Sequence, residues 1–189
     1  MKEDRDENHH HFHQHQVSRV SHRIALALER SFKRKGQEAK IIDLAEVKLP
    51  RFKERYHRHP EKPENWTTIM ETLKASDGII FLTPEYNGSI SSGLKNFIDV
   101  FAKDSFRRKP IGVATSSTGS KGGMRAAYQV QRIILSIFAY PQPQMLLVGE
   151  MQHKFDETGT LVDKDFCSVF ERFVDQFIEF TALHQGSTS

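Results

Sequence analysis

The sequence predicts an α/β domain with a mostly parallel sheet and helices on both of its faces. Short apolar runs, each the length of a buried strand, alternate along the chain with segments whose apolar residues recur at helical spacing. This alternation is typical of parallel sheets, because each helix crosses back over the sheet before the next strand begins. With 189 residues, the chain is long enough for one domain with a sizeable core.

The first half of the chain predicts two helices and two strands. Ile24, Leu28 and Phe32 recur at helical spacing, and Gly36 is a plausible stop for that helix. In chain order, the predicted segments are a helix at 22–35, a strand at 39–44 with Ile41 and Ile42 buried, a polar connection at 48–63, a helix from about 64, and a strand at 78–82.

The second half continues the alternation. In chain order, it predicts a helix from 94, a strand at 110–114, a helix at 124–138, a strand at 145–148, a turn at 155–161 and a helix at 163–183. The last helix places an apolar stripe on one face, which favours burial against the sheet. That stripe consists of Val169, Phe170, Phe173, Val174, Phe177 and Ile178.

Composition narrows the class of protein. No apolar run approaches the roughly 18 residues of a membrane span, and no charged-then-apolar leader resembles a secretory signal. The single cysteine, Cys167, precludes an internal disulfide, which suits a reducing, cytoplasmic compartment; its helical setting predicts a small core residue. The net charge of +3 is too small to indicate nucleic-acid binding by itself.

Residues 77–99 carry the most informative pattern in the chain. The apolar run 79–82 ends at Pro84, and a turn rich in Asn, Gly and Ser follows before helical spacing resumes. A turn that follows a parallel strand lies at the carboxyl edge of the sheet, where open α/β sheets bind ligands. Tyr86 supplies an aromatic ring there, and Gly88 allows the backbone to approach a flat ligand closely.

This turn and the helix after it resemble the flavin-binding signature of the NAD(P)H-dependent FMN reductase family, which includes flavin, quinone, azo-dye and chromate reductases. The resemblance covers about residues 18–183 and implies a flavodoxin-like three-layer fold. It implies no catalytic side chain, because the flavin carries the chemistry. The residues that carry it are Pro84-Glu85-Tyr86-Asn87-Gly88-Ser89 and Leu94-Lys95-Asn96-Phe97-Ile98-Asp99. The FMN contacts it implies in this turn are Pro84, Glu85, Tyr86, Asn87 and Gly88.

A second loop repeats this arrangement one strand later. Residues 115–123 follow a predicted strand, precede a predicted helix, and offer hydroxyls and free amides to an acceptor-rich ligand. The loop resembles the one with which the family borders its flavin ring. By position, the further FMN contacts implied are Ser116, Ser117, Thr118, Gly119, Gly122 and Gly123.

The phosphate of FMN needs a site of its own. In the family this is a loop between the first strand and the first helix, and the corresponding place in this chain is 17–25. Ser18 or Ser21 could cap a helix whose free amides bind phosphate, while Arg19 and Arg23 could add charge-assisted hydrogen bonds. A plain helix cap with solvated arginines is the alternative.

The start of the chain departs from the family pattern. Phe12 is the only large apolar residue between Met1 and Val17, so this segment cannot form a central strand that is buried on both faces. We expect residues 1–16 to be disordered and residues 17–184 to form the flavodoxin-like domain, with its first strand atypical or missing. Three explanations stay open: a replaced native start, a divergent or truncated relative that holds FMN poorly, or strand edges completed by another chain.

The same N-terminal segment is rich in histidine. Such runs bind metal ions loosely, and no fixed tetrahedral ligand set lies nearby in the sequence, so we predict no physiological metal site. The histidines concerned are His9, His10, His11, His13 and His15.

The resemblance implies an FMN-dependent oxidoreductase. Hydride would pass from NADPH or NADH to the flavin, and electrons would pass on to a quinone, azo, flavin or similar small-molecule acceptor. The family is commonly dimeric or tetrameric, which implies a homodimer or homotetramer without nucleic-acid or membrane partners. The alternative is a flavodoxin-like protein with weak or no FMN binding that serves as an electron carrier or an interaction module.

Overall fold

The computed structural model describes residues 8–47 and 49–184, with the side chains of 8–20 and 102–104 left out. Helices and strands alternate through the described part, as the sequence predicts. The helices are α1 (Asn8–Arg34), α2 (Leu44–Val47), α3 (Glu64–Ala75), α4 (Ser92–Phe106), α5 (Met124–Ser136) and α6 (Lys164–His184). The strands are β1 (Ile79–Pro84), β2 (Pro110–Ser116) and β3 (Tyr140–Val148), and short 3-10 turns lie at Tyr56–Arg58 and Met151–His153.

The three strands form one parallel sheet in the order β1-β2-β3. Every residue of the central strand β2 is buried, as expected of a strand covered on both faces. The third strand begins at Tyr140 rather than at the predicted residue 145, because Pro141 and Pro143 interrupt the strand pattern in the sequence. Proline is tolerated there because β3 is an edge strand with one free side. The prediction of a parallel α/β sheet is confirmed.

Two hydrophobic cores lie on opposite faces of the sheet. One lies between the sheet and α3, α4 and α5, and the other lies between the sheet and α1 and α6. Phe170, Phe173 and Phe177 of the predicted α6 stripe are buried in the second core. Cys167 is exposed, so its prediction as a core residue is wrong; it lies one turn before the buried stripe begins. Within the described ranges, no helix is both long and apolar enough to cross a membrane.

The first helix begins earlier than predicted. α1 starts at Asn8 rather than near residue 22, and it ends at Arg34, where Gly36 adopts a left-handed φ of 74° that only glycine adopts without strain. Residues 8–16 therefore belong to α1, while 1–7 lie outside the described residues, so the division of the chain at residue 16 stays a prediction. Within the described residues, no strand precedes β1, in keeping with a missing first strand.

The predicted strand at 39–44 is wrong. Residues 37–43 have no regular secondary structure, and Ile41 and Ile42 are half-buried. Ala39 packs against the α1/α6 core and Ile42 against the α3/α4/α5 core, as alternating side chains of a strand would. A strand also needs a neighbour for its ladder of hydrogen bonds, and the segment that would supply that neighbour is helical in α1.

The missing strand leaves the outer edge of β1 open. The Glu85 N–H donates to the Ser116 carbonyl at 2.9 Å, so the N–H groups that alternate with it, those of Ile80 and Leu82, point away from β2. Pro84 is the next residue of β1 whose backbone nitrogen faces away from β2, so its lack of an N–H costs no hydrogen bond of the sheet. The edge is therefore short and ends in a residue that cannot donate, which limits pairing with other strands.

A buried amide allows a test of the sheet's packing. Gln142 is 1% exposed and neither its Oε1 nor its Nε2 has a hydrogen-bond partner within the described residues. We expect Gln142→Met to leave the free energy of unfolding unchanged or to raise it by about 1 kcal/mol, because an unsatisfied buried polar group costs about 1–3 kcal/mol.

Thr115→Val is the matched contrast in chemical denaturation. The Thr115 hydroxyl is buried and donates to the Gly122 carbonyl at 2.7 Å, so its loss should lower the free energy of unfolding by about 1 kcal/mol. A stability loss in Gln142→Met as large as that in Thr115→Val would contradict the assignment of Gln142 as unsatisfied.

Candidate functional site

The turn after β1 is a tight two-residue turn. Tyr86 and Ser89 exchange two backbone hydrogen bonds of 2.9 Å, each N–H donating to the other residue's carbonyl. Asn87 and Gly88 between them have φ angles of 50° and 76°. Positive φ at both central residues defines a type I′ turn, and Asn-Gly is the pair that adopts it most readily. The sequence therefore explains the shape of this turn directly.

The stem of the turn is closed by side chains. The Ser91 N–H donates to the Thr83 hydroxyl at 3.1 Å, and the Ser91 hydroxyl accepts from the Leu94 N–H at 3.3 Å. The first bond joins the end of β1 to the start of α4, and the second satisfies one of the free amides of that helix. We call the region from Glu85 to Ile90 the first loop.

The second loop, residues 117–123, packs on the end of β3. The Ser117 N–H donates to the Val148 carbonyl at 3.0 Å, and the Glu150 N–H donates to the Gly119 carbonyl at 3.2 Å. The contact is so close that a Cβ on Gly122 would lie 2.7 Å from the Leu147 carbonyl carbon, and a Cβ on Gly149 would collide with the Ser120 carbonyl. Gly149 was not predicted, because a glycine that follows an apolar run has the same sequence pattern as any turn.

The structure brings the two loops together at the start of α5. The Glu85 carboxylate accepts hydrogen bonds from the Arg125 and Ala126 N–H groups at 3.0 and 3.1 Å through Oε2. The Glu85 side chain is only 16% exposed, and the Arg125 guanidinium lies 3.8 Å from its Oε1. Glu85 thus satisfies free amides in the first turn of α5 and places its negative charge at the positive end of the helix.

A second side chain of α5 holds the far end of the first loop. Gln129 Oε1 accepts from the Ser89 hydroxyl at 2.8 Å and from the Ile90 N–H at 3.1 Å. Gln129 and Arg125 are four residues apart and so lie on one face of α5. Nothing in the sequence pattern distinguishes Gln129 from other polar helix residues, so it was not predicted.

Two groups of backbone amides at this edge have no hydrogen-bond partner within the described residues. In the first loop, the Glu85 N–H donates to the Ser116 carbonyl of β2 and the Tyr86 N–H is used in the turn, whereas the N–H groups of Asn87 and Gly88 are free. In the second loop, the amides of residues 118–121 are free and this stretch is exposed. The arrangement offers donors to a planar ligand with acceptors along its edge.

Tyr86 lies at the opening of this site. Its side chain is 46% exposed, and partial burial raises the pKa of the Tyr86 phenol above its ordinary value. The phenol is therefore neutral at physiological pH. A neutral aromatic ring at this position can flank a planar ligand without adding charge.

The remaining predicted second-loop residues divide into two groups. Ser116, Gly122 and Gly123 are buried. These three residues therefore support the exposed part of the second loop and are not themselves accessible to a ligand. Ser117 is half-buried, and Thr118 and Gly119 are exposed at the edge of the site.

The predicted phosphate residues lie within α1. Residues 18–25 are in the interior of the helix, so the expectation of a helix start at Ser18 or Ser21 is wrong, and these amides are used in the helix itself. The Ser21 hydroxyl lies 3.2 Å from that of Ser116 at the sheet edge. Arg23 instead donates to the Phe155 carbonyl at 3.4 Å. The side chains of Ser18 and Arg19 lie outside the described ones.

No metal centre accompanies the site. Across the described side chains, no three His, Cys, Asp or Glu residues are placed to hold a metal ion. The side chains of the N-terminal histidines lie outside that description.

Two amide-bearing loops, one with an aromatic residue, thus lie at the carboxyl edge of a parallel sheet, where open α/β sheets bind ligands. The chain belongs to the NADPH-dependent FMN reductase family, whose sequence model matches residues 14–153. Membership makes the protein an FMN-dependent oxidoreductase that uses NADPH, and it disfavours a role as a simple electron carrier.

Curated relatives and solved structures agree with this assignment. A quinone reductase from Pseudomonas putida is 30% identical over 78% of this chain and 80% of its own. An FMN-dependent NADPH-azoreductase from Staphylococcus aureus is 32% identical over 85% of this chain and 88% of its own. The flavoenzyme NAD(P)H:(acceptor) oxidoreductase from Paracoccus denitrificans superposes with a TM-score of 0.76 over 87% of this chain and 90% of its own, at 21% identity.

The described residues fit one end of FMN better than the other. The free amides of the two loops suit the acceptor-rich edge of the flavin ring, and Gly88 leaves room for close approach, since a Cβ there would be 3.4 Å from Arg125. The phosphate end lacks the expected cradle of helix-start amides, because α1 runs through that region without a break.

The packing of the second loop gives a testable prediction. We expect Gly149→Ala to lower the thermal unfolding midpoint of the flavin-free protein by several degrees, because the new Cβ collides with the Ser120 carbonyl and must displace the second loop. Gly119→Ala is the control, since its Cβ would meet nothing closer than the Ser117 hydroxyl at 4.0 Å. Equal midpoints for the two variants would show that the loop does not rest on β3 as described.

Proposed function

We propose that the electron acceptor of this oxidoreductase is a quinone or an azo compound. The support is the pair of relatives, one named as a quinone reductase and one as an azoreductase, each matching most of the chain. The observation that carries the proposal is the exposure of the Tyr86 side chain and of residues 118–121 at the carboxyl edge of the sheet. A planar acceptor could stack at such an exposed edge.

The protein's own groups bind and orient in this proposal. FMN, when bound, accepts hydride from NADPH and passes electrons to the acceptor. The amides of Asn87, Gly88 and residues 118–121 would donate to the edge of the flavin ring, where negative charge grows on reduction. The neutral Tyr86 ring would flank it. At the phosphate end, Ser21 is the described candidate, and Ser18 and Arg19 stay predictions, whereas the Arg23 side chain donates to the Phe155 carbonyl instead.

The reaction balances with a quinone as acceptor. NADPH loses a hydride and becomes NADP⁺. The quinone gains two electrons and two protons, one hydrogen originating from the hydride and one proton from water, and becomes a hydroquinone. No side chain has to act as a nucleophile in this reaction, and no catalytic side chain was predicted from the sequence.

We also propose that the protein works as a homodimer or homotetramer in the cytoplasm. The outer face of α5 supports the assembly, because Tyr128 and Leu135 are each 61% exposed and, seven residues apart, lie on one face of the helix. Large exposed apolar side chains in one region favour a protein contact. The buried phenylalanines of the two cores do not serve this purpose; they include Phe97 and Phe101 of α4 and Phe170, Phe173 and Phe177 of α6.

The experiment is FMN-dependent oxidation of NADPH with a soluble quinone or an azo dye. We expect NADPH consumption that requires FMN and either acceptor. If neither the quinone nor the azo dye supports NADPH oxidation, the proposal is refuted. Reduction of the flavin by NADPH without electron transfer to either acceptor would support the electron-carrier alternative instead.

A pair of glycine variants ties that activity to the site. Gly88 and Gly36 have φ angles of 76° and 74°, so an alanine at either position is strained by about 1 kcal/mol. We expect Gly88→Ala to reduce turnover about tenfold and Gly36→Ala to change it less than twofold, because only Gly88 borders the ring. Equal loss in both variants would mean that the effect is one of stability alone.

A further inference from the structure

The first loop is attached to α5 at both of its ends. At its start, the Glu85 carboxylate accepts from the N–H groups of Arg125 and Ala126. At its finish, Gln129 Oε1 accepts from the Ser89 hydroxyl and the Ile90 N–H. The free amides of Asn87 and Gly88 lie between these two attachments.

The second loop is fixed to the same helix by the chain itself. It runs into α5 through Gly123, which has a left-handed φ of 78°. A Cβ added at Gly123 would lie 3.0 Å from the Thr115 side chain, so the loop packs closely on β2 there. α5 is therefore the common support of both groups of free amides. Any change in how the first loop sits on α5 changes the distance between the two groups.

We propose that Gln129 is a positioning residue for flavin binding. It makes no contact with the ring itself; it acts through Ser89 and Ile90 to set the position of the Asn87 and Gly88 amides. Glu85 is its counterpart at the other end of the loop. The inference rests on the proposed flavin site, and it assigns a role to a residue outside the signature turn.

The chemistry of the contact explains why a glutamine is suited to it. One amide oxygen has two lone pairs and can accept from the Ser89 hydroxyl and the Ile90 N–H together. Without that oxygen, the Ile90 N–H, on a residue only 8% exposed, would lose its acceptor, and the loop would shift to regain one. An error of a fraction of an ångström in a ligand-binding group is enough to weaken binding severalfold.

Gln129 gives a cleaner test than Glu85. Glu85 also satisfies the first turn of α5, so its removal would destabilise the helix. Gln129→Met keeps the length of the side chain and removes its amide group, including the acceptor oxygen, and Gln129→Glu restores an acceptor oxygen. Gln131→Met is the matched control: it is the same substitution on the same helix, and the Gln131 amide donates to the Gln142 carbonyl at 2.8 Å, away from the first loop.

The experiment compares the full-length protein and these three variants. The measurements are the FMN Kd from flavin fluorescence, the thermal unfolding midpoint without flavin, and hydrogen exchange of the 85–91 backbone. We expect Gln129→Met to raise the Kd about tenfold, the equivalent of one lost hydrogen bond, and to speed exchange in this segment. The FMN Kd of Gln129→Glu should lie within about twofold of the wild-type Kd. Gln131→Met should change the unfolding midpoint but not the FMN Kd.

Two results would overturn the inference. One is an unchanged FMN Kd in Gln129→Met. The other is an equal rise of the Kd in Gln131→Met, which would indicate general destabilisation. If the wild-type protein binds no FMN, the proposed flavin site fails, and hydrogen exchange then decides alone: exchange at 85–91 that is no faster in Gln129→Met than in Gln131→Met refutes the positioning role.

Discussion

The contact between the Glu85 carboxylate and the first turn of α5 is the interaction on which this site depends. It joins two loops that are far apart in the sequence, because Glu85 follows β1 whereas α5 follows β2. The same contact satisfies helix amides that would otherwise need water or another ligand. A chain segment that follows one strand is thereby attached to the helix that follows the next strand, and the free amides of both loops lie at the same edge of the sheet.

Different backbone amides of the first loop hold it in place and remain free for a ligand. The amides proposed to contact a ring edge are not the amides that hold the loop in place: Glu85 donates to β2 and Tyr86 donates within the turn, while Asn87 and Gly88 keep theirs free. Separation of the two tasks lets the loop be rigid before any ligand arrives. A preformed site loses less entropy on binding, which favours a flat ligand that makes few contacts.

The parts of the fold that local sequence patterns dictate were predictable. The Asn-Gly turn, the apolar stripe of α6 and the buried run of β2 each follow from spacing and residue type. The strand at 39–44 was not, because a strand exists only with a neighbour to pair with, and no local pattern shows that the neighbour is helical in α1. Gln129 was missed for a related reason, since its role depends on which loop lies across the helix.

The N-terminal region separates this chain from the expected pattern of its family. α1 extends back to Asn8 and takes the place in the sequence where the family pattern has its first strand and a phosphate-binding loop. The outer edge of β1 is open, and Arg23 turns toward the Phe155 carbonyl rather than toward the site. The described residues supply free amides for the proposed ring end of the site, whereas they supply no helix-start amides at its predicted phosphate end. Binding of flavin should therefore depend mainly on the ring.

A titration of the flavin-free protein with riboflavin and with FMN tests that claim most directly, because the two ligands differ only in the phosphate. If the two loops supported by α5 supply most of the binding energy, FMN should bind no more than about tenfold more tightly than riboflavin, since a complete set of charge-assisted phosphate contacts would be worth several kcal/mol. Saturation by FMN at a concentration where riboflavin does not bind at all would contradict this account.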